Sequence, residues 1–177
     1  MVDHVIENNP PWKLRREIQP FCLSELEIEE IISTASHAVV SWVTRTHEPV
    51  TAVMLYALID DVVTVTSTTN RAKYHSWKRN PAASFCIWDP LNIGRQVTLR
   101  GEIEILQSDD LLVQYTNAFL TRAFDGSPPT PKRLEQELST FRAPDRHMMR
   151  LHVKSVVSHD LPALMLAEKN SRTVDEQ

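Results

Sequence analysis

Arg71 and Lys73 flank one alanine where a polar run, Thr66-Ser67-Thr68-Thr69-Asn70, passes into a segment suited to two turns of helix. These residue types at this spacing suggest anion chemistry. A helix N-terminus presents backbone N–H groups and the positive end of the peptide dipole. Arginine adds a planar fork of donors and lysine a point charge, and together these bind phosphate. Asn70 is the expected N-cap of a helix over 71–79. The segment lacks G-x-x-x-x-G-K-[ST], which excludes a nucleotide-hydrolysing P-loop. A second basic pair, Lys78-Arg79, precedes Asn80-Pro81 at the helix C-terminus, where the dipole favours cations, and reads as structural. The plain alternative is a solvated basic helix, and R-x-K alone does not decide between the two.

Other chemistries have weaker support. Among 7 histidines, His147 and His152 are five apart and no H-x-x-x-H pattern occurs, so no metal site is expected. Ser41, Ser84 and His37 show no nucleophile-elbow pattern. Cys22 and Cys86 form neither a disulfide framework nor a C-x-x-C. Trp77 and Trp88 are expected in the core or at an interface. A formal net charge of -4 argues against a general nucleic-acid binder, though a local basic patch can still attract a small anion. No apolar run nears the roughly 18 residues that span a bilayer, and the N-terminal stretch lacks a signal-peptide core. A cytoplasmic protein without membrane contact is expected.

These residues need elements to position them. The chain has 177 residues, enough for one domain with a core. Residues 1–23, with prolines at 10, 11 and 20, read as an arm. Ser24 and Glu27 fit a capping box, Leu23 and Ile28 a hydrophobic staple, and Ile28, Ile31 and Ile32 an apolar stripe; the helix should end near Ser36. Strands are expected over 38–45, 49–59, 62–68, 82–89, 95–106 and 147–160, with Asp60-Asp61 as a turn and 89–94 as a loop. Gly101 suggests a bulge or bend. Leu151, Val153 and Val156 are expected on one buried face. A helical insertion over 108–140 holds a first helix capped by Ser108, with Leu111, Leu112, Tyr115, Phe119 and Leu120 on one side, and a second from Lys132 to Thr140. Residues 24–166 then form one domain and 167–177 a polar tail. Short connections between alternating strands suit an antiparallel barrel better than a doubly wound sheet.

The order matters more than any single motif: strand, short turn, strand ending VTST, N-R-A-K, helix, K-R-N-P, apolar strand, loop, R-Q-V-T-L-R-G-E-I-E. This order resembles the pyridoxamine 5'-phosphate oxidase-like superfamily, in particular its flavin- and deazaflavin-dependent oxidoreductase branch. The similarity covers roughly residues 24 to 106, with an echo from Asp145 to Ser158. It implies a mainly β fold with flanking helices (α+β), an antiparallel split β-barrel of the FMN-binding type. It implies phosphate binding by the segment of Arg71 and Lys73, with Thr66 and Ser67 touching phosphate or ribityl chain. Met54 and Leu55 would lie along the ring, with Tyr56 beside them, and Gln96 matches a flavin-contacting glutamine. Tyr56 and His75 are the candidates for donating a proton or hydrogen bond to substrate; no dedicated catalytic residue is named. The R-A-K and K-R-N-P motifs favour the deazaflavin F420, while Gln96 leans towards FMN. Such proteins form homodimers with the site between subunits, so partners would be a small-molecule substrate and a second copy of the chain. Two departures stand out. VMLYAL replaces a proline followed by an aromatic residue, and no pyridoxal-phosphate-binding C-terminal segment is recognisable, which argues against pyridoxamine phosphate as substrate. The expected activity is hydride transfer to or from a small unsaturated organic substrate. The alternative is a non-catalytic carrier of a flavin, deazaflavin or tetrapyrrole such as heme or biliverdin.

Overall fold

A computed structural model describes residues 11–123 and 126–174. Seven strands form one antiparallel, curled sheet: β1 (His37–Val43), β2 (Pro49–Leu55), β3 (Ala57–Ile59), β4 (Val62–Thr68), β5 (Ala82–Asp89), β6 (Asn92–Leu106) and β7 (Arg146–Asp160). Their order is β2-β1-β5-β6-β7-β4-β3. Its two edges, β2 and β3, are consecutive in the chain and joined by Tyr56 alone. Adjacent strands are spaced about 4.8 Å apart, so one residue cannot bridge the edges of an open seven-stranded sheet. The sheet therefore curls until its edges adjoin.

The single strand expected over 49–59 is thus two. β2 pairs with β1 through His37↔Leu55, while β3 pairs with β4 through Ala57↔Thr64. The backbone must change partners, and Tyr56 is where it does so. Its N–H donates to Ser36 O at 3.1 Å. The carbonyls at the break are taken by the helix α4 (Asp109–Ala123): Tyr115 Oη donates to Leu55 O at 3.1 Å and Arg122 Nη1 to Tyr56 O at 3.0 Å. The expected 89–94 loop is also shorter, because β6 already begins at Asn92.

The chain packs as two units: one of residues 36–87 and 99–156, the other of the chain before Ser36, residues 88–98 and the chain after Val156. In the first, Ala38, Val40, Val65, Phe85, Met149 and Leu151 are buried among the strands. The helix α3 (Ala72–Arg79) is anchored to β1: Trp77 Nε1 donates to Ser41 O at 3.2 Å and Arg79 Nη2 to Val43 O at 3.0 Å. α4 and α5 (Pro131–Phe141) bury Leu112, Tyr115 and Leu138 with Ala57, Ile59 and Met148. Ser108 Oγ accepts from Leu111 N–H at 3.2 Å, the cap expected from sequence. At the β3–β4 hairpin, Asp60 and Asp61 have φ of 50° and 59°, as a type I′ turn requires. Gly101 serves close strand approach, since a Cβ there would lie 2.0 Å from His152 O. Val153 and Val156 do not share the buried face of Leu151; they are 45% and 46% exposed.

In the second unit, α2 (Glu25–Thr34) starts with the complete Ser24–Glu27 capping box. Arg95 bonds Glu27 Oε1 at 2.7 Å and Asp89 Oδ2 at 2.8 Å, with Asp160 Oδ2 at 3.7 Å. The segment expected to be a polar tail from 167 continues as the helix α6 (Leu161–Val174). Glu168 explains this: it is buried and accepts from Arg15 Nη2 at 3.0 Å. The expected arm likewise packs from residue 11 on, through α1 (Pro11–Leu14) and a 3-10 turn at Gln19–Phe21; Leu14, Phe21 and Leu23 are buried. Residues 1–10 and 175–177 lie outside the described residues. Among the described residues, no helix is long and apolar enough to cross a membrane.

Candidate cofactor site at the start of α3

β4 delivers the chain to α3 through Thr69-Asn70-Arg71. This connection is pinned to the residue before β7, because Thr69 donates to Asp145 through both its N–H (to O, 3.0 Å) and its hydroxyl (to Oδ2, 3.2 Å). Asn70 is not the N-cap. Thr68 Oγ1 donates to Asn70 Oδ1 at 2.6 Å, which engages the oxygen a cap would use. The N-cap is Arg71, with extended φ −93° and ψ 140° and no side-chain capping bond. Among the described residues no side-chain capping bond therefore closes the positive end of the α3 dipole.

Two cations flank that end. Arg71 is exposed and Lys73 half-buried. Among the described residues, neither is paired with a carboxylate. Burial holds the Lys73 ammonium below its usual pKa, and the Arg71 charge lowers it further. Two uncompensated cations beside an uncapped helix start favour an anion there.

The other expected site residues are placed as follows. Thr66 Oγ1 donates to His147 O at 3.0 Å and accepts from Arg146 Nη1 at 3.4 Å, so both roles of the hydroxyl are used. Ser67 is buried and donates to Thr68 O at 3.3 Å. Met54 and Leu55 are half-buried at the end of β2. Tyr56 is 2% exposed, its phenol is pushed up to about 12 by burial, and the Arg122 guanidinium lies 5.5 Å over its ring. His75 is exposed on α3, its ring 5.5 Å from that of Tyr74. Gln96 belongs to the second unit, where its Nε2 donates to Ile93 O at 2.9 Å. Thr66, Ser67, Arg71 and Lys73 thus share one β4–α3 segment, with Met54, Leu55 and Tyr56 on the β2–β3 link.

Behind α3 lies a cavity of about 440 Å³ lined by Tyr74, Trp77, Lys78, Ile103, Gln107 and His147. Tyr74 and His147 rings are 5.0 Å apart. His147 Nδ1 lies 3.1 Å from Asp145 O. A carbonyl only accepts, so Nδ1 carries the proton and, in the neutral ring, Nε2 the lone pair. From sequence His147 reads as one of several scattered surface histidines, and Tyr74 carries no signal beyond its i, i+3 spacing to Trp77.

No family model matches the chain, and no curated protein does. Solved structures do. A conserved hypothetical protein from Mycobacterium tuberculosis aligns with a TM-score of 0.67 at 21% identity, over 79% of this chain and 86% of that one. An F420 reductase aligns with a TM-score of 0.52 at 26% identity, over 72% and 94%. HutZ, the heme storage protein from Vibrio cholerae, aligns with a TM-score of 0.56 at 17% identity, over 77% and 96%. The curled antiparallel sheet with its flanking helices is an α+β split-barrel-like fold, as the resemblance implied. Within that fold, the solved structures it is similar to include both a reductase and heme proteins.

Proposed function

We propose that the protein binds a phosphate-bearing deazaflavin or flavin, F420 ahead of FMN, and works as an oxidoreductase on a small unsaturated organic substrate. The observation that carries this is the Arg71–Lys73 couple at the uncapped start of α3, with no carboxylate partner among the described residues. Arg71 and Lys73 hold the phosphate, assisted by the first N–H groups of α3. With the hydroxyls of Thr66 and Ser67 bonded inside the protein, that segment contributes backbone rather than side-chain donors. Met54 and Leu55 flank the ring. The bound ring supplies the hydride chemistry, and the chain supplies binding, orientation and field. Tyr56 is buried at the β2–β3 link, so it serves as scaffold beneath the ring. The working form is a cytoplasmic homodimer whose two sites each draw on both subunits. Titrating the protein with FMN and with reduced F420, followed by absorbance and fluorescence, tests the proposal; failure of both to bind refutes it.

One observation favours a second reading, a tetrapyrrole carrier. His147 presents Nε2 as its acceptor atom in the aromatic-lined cavity behind α3, the tautomer that ligates iron. Heme titration tests this: a shifted Soret band abolished in His147→Ala supports it, and an unshifted band refutes it.

A further inference from the structure

On the α4–α5 side of the first unit, a second cavity of about 370 Å³ is lined by Gln107, Asp109, Leu112, Arg142, Arg146 and Met148 among others. Its two arginines differ. Arg142 is neutralised: it meets Asp109 at 3.2 Å through Nε and Nη2, and Glu135 at 2.8 Å through Nη1. Arg146 is fixed but not neutralised. Its Nε donates to Phe141 O, its Nη1 donates to Thr66 Oγ1 at 3.4 Å, and its guanidinium stacks 5.2 Å over the Phe141 ring. Among the described residues no carboxylate is ion-paired with it. The neighbouring Asp145 carboxylate accepts from the Thr69 hydroxyl instead. Burial lowers the Arg146 pKa, with Tyr115 and Asp145 opposing only in part.

A half-buried guanidinium is normally matched by an anion, because desolvating an unpaired charge is costly. Here three contacts immobilise the group, through Nε, Nη1 and its face on Phe141, and the side chain lines the cavity. The cavity is too large for a bare inorganic anion and falls within the range of small-molecule pockets, roughly 300–1,000 Å³. Leu112 and Met148 give it an apolar wall. We propose that this cavity binds a small organic carboxylate with an apolar body, the carboxylate on Arg146 and the body against Leu112 and Met148. The site uses Arg146 rather than the α3 cations Arg71 and Lys73, and it adjoins their segment through the Arg146–Thr66 bond.

The test uses the full chain labelled with 13C at the methionine methyls, titrated with benzoate, benzamide and inorganic phosphate. Benzoate is expected to shift the Met148 methyl saturably and to leave Met165, an exposed residue of the second unit, in place. Benzamide, the same shape without charge, is expected to bind at least tenfold more weakly. Arg146→Met should weaken benzoate at least tenfold, as loss of a charge-assisted contact does, and Arg146→Lys less so. A Met148 signal unmoved by benzoate, or moved equally by benzamide, overturns the proposal. So does displacement of benzoate by phosphate at equal concentration, which marks an adventitious ion only. If Arg146→Met fails to fold, the benzoate and benzamide arms on the wild-type chain still decide.

Discussion

Replacing Lys73 separates a ligand-binding role from a structural one, because the two predict opposite signs. In the folded protein its ammonium is half-buried, repelled by Arg71 and unpaired among the described residues. Its folded-state pKa therefore lies below 10.5, and the unfolded chain holds the proton more tightly. The sign follows by linkage: protonated Lys73 destabilises the fold. The penalty is full below the folded-state pKa and fades as pH rises to 10.5. Lys73→Met should thus leave the melting temperature of the free protein unchanged or raise it at pH 7, with the difference vanishing towards pH 10.5. Cofactor affinity should move the other way. A charge-assisted contact to phosphate contributes about 1.5–3 kcal/mol. Lys73→Met should therefore weaken binding roughly tenfold to a hundredfold. Adding Arg71→Ala should deepen the loss, though by less than the product of the two effects, since the cations repel each other and are coupled. Differential scanning fluorimetry across pH and a fluorescence titration with FMN or F420 measure both halves. A lowered melting temperature at pH 7 with unchanged affinity would refute the reasoning and make Lys73 part of the scaffold.

Four further outcomes follow from the packing. Gly101→Ala must force the strands apart, because the contact at 2.0 Å is with backbone; each ladder bond broken by that shift costs about 0.5–1.5 kcal/mol, measurable by urea denaturation. Asp61→Gly should stabilise by up to about 1 kcal/mol, since φ 59° costs glycine nothing; the same denaturation reads it. Trp77→Ala, at 1% exposure, should cost about 3–5 kcal/mol and loosen α3 from β1, seen as lost amide protection over 72–79. Glu27 is held below its usual 4.5, first by the Ser24 N–H and next by the Ser24 hydroxyl. Its stabilisation is present above pH 4.5 and lost as pH falls through the folded-state value, so Glu27→Gln should flatten the acid limb of the stability profile.

The elements whose signals are local were legible in the sequence. The Ser24–Glu27 box, the Ser108 cap and the Asp60-Asp61 turn each depend on residues within a few positions, and each stands where expected. What depended on distant partners was not. Nothing in VMLYALI marks the switch at Tyr56, because the switch comes from β1 and β4 competing for the same strand. Asn70 is a good cap by type, yet Thr68 takes its oxygen. Glu168 reads as part of a polar tail until Arg15, 153 residues away, engages it. At the site, the basic triplet was visible as composition, but only the structure distinguishes it from the second basic pair: Arg79 is tied to β1, whereas Arg71 and Lys73 have no partner carboxylate among the described residues. Arg146 carried no signal, since its significance lies in a helical insertion folding back over β7.

The β4–β7 pairing has a consequence during synthesis. Thr66 waits for His147, 81 residues downstream, before its hydroxyl bond and the adjoining ladder form. At about 5–20 residues per second, roughly 4 to 16 s pass before the partner strand is even translated. During that interval β4, rich in valine and threonine, has a partner only in the three-residue β3. The nascent chain thus carries an open, β-prone edge for seconds, the state chaperones recognise and neighbouring chains can invade. Expression yield should respond more to translation rate across residues 69–146 than to changes in the stability of the finished barrel.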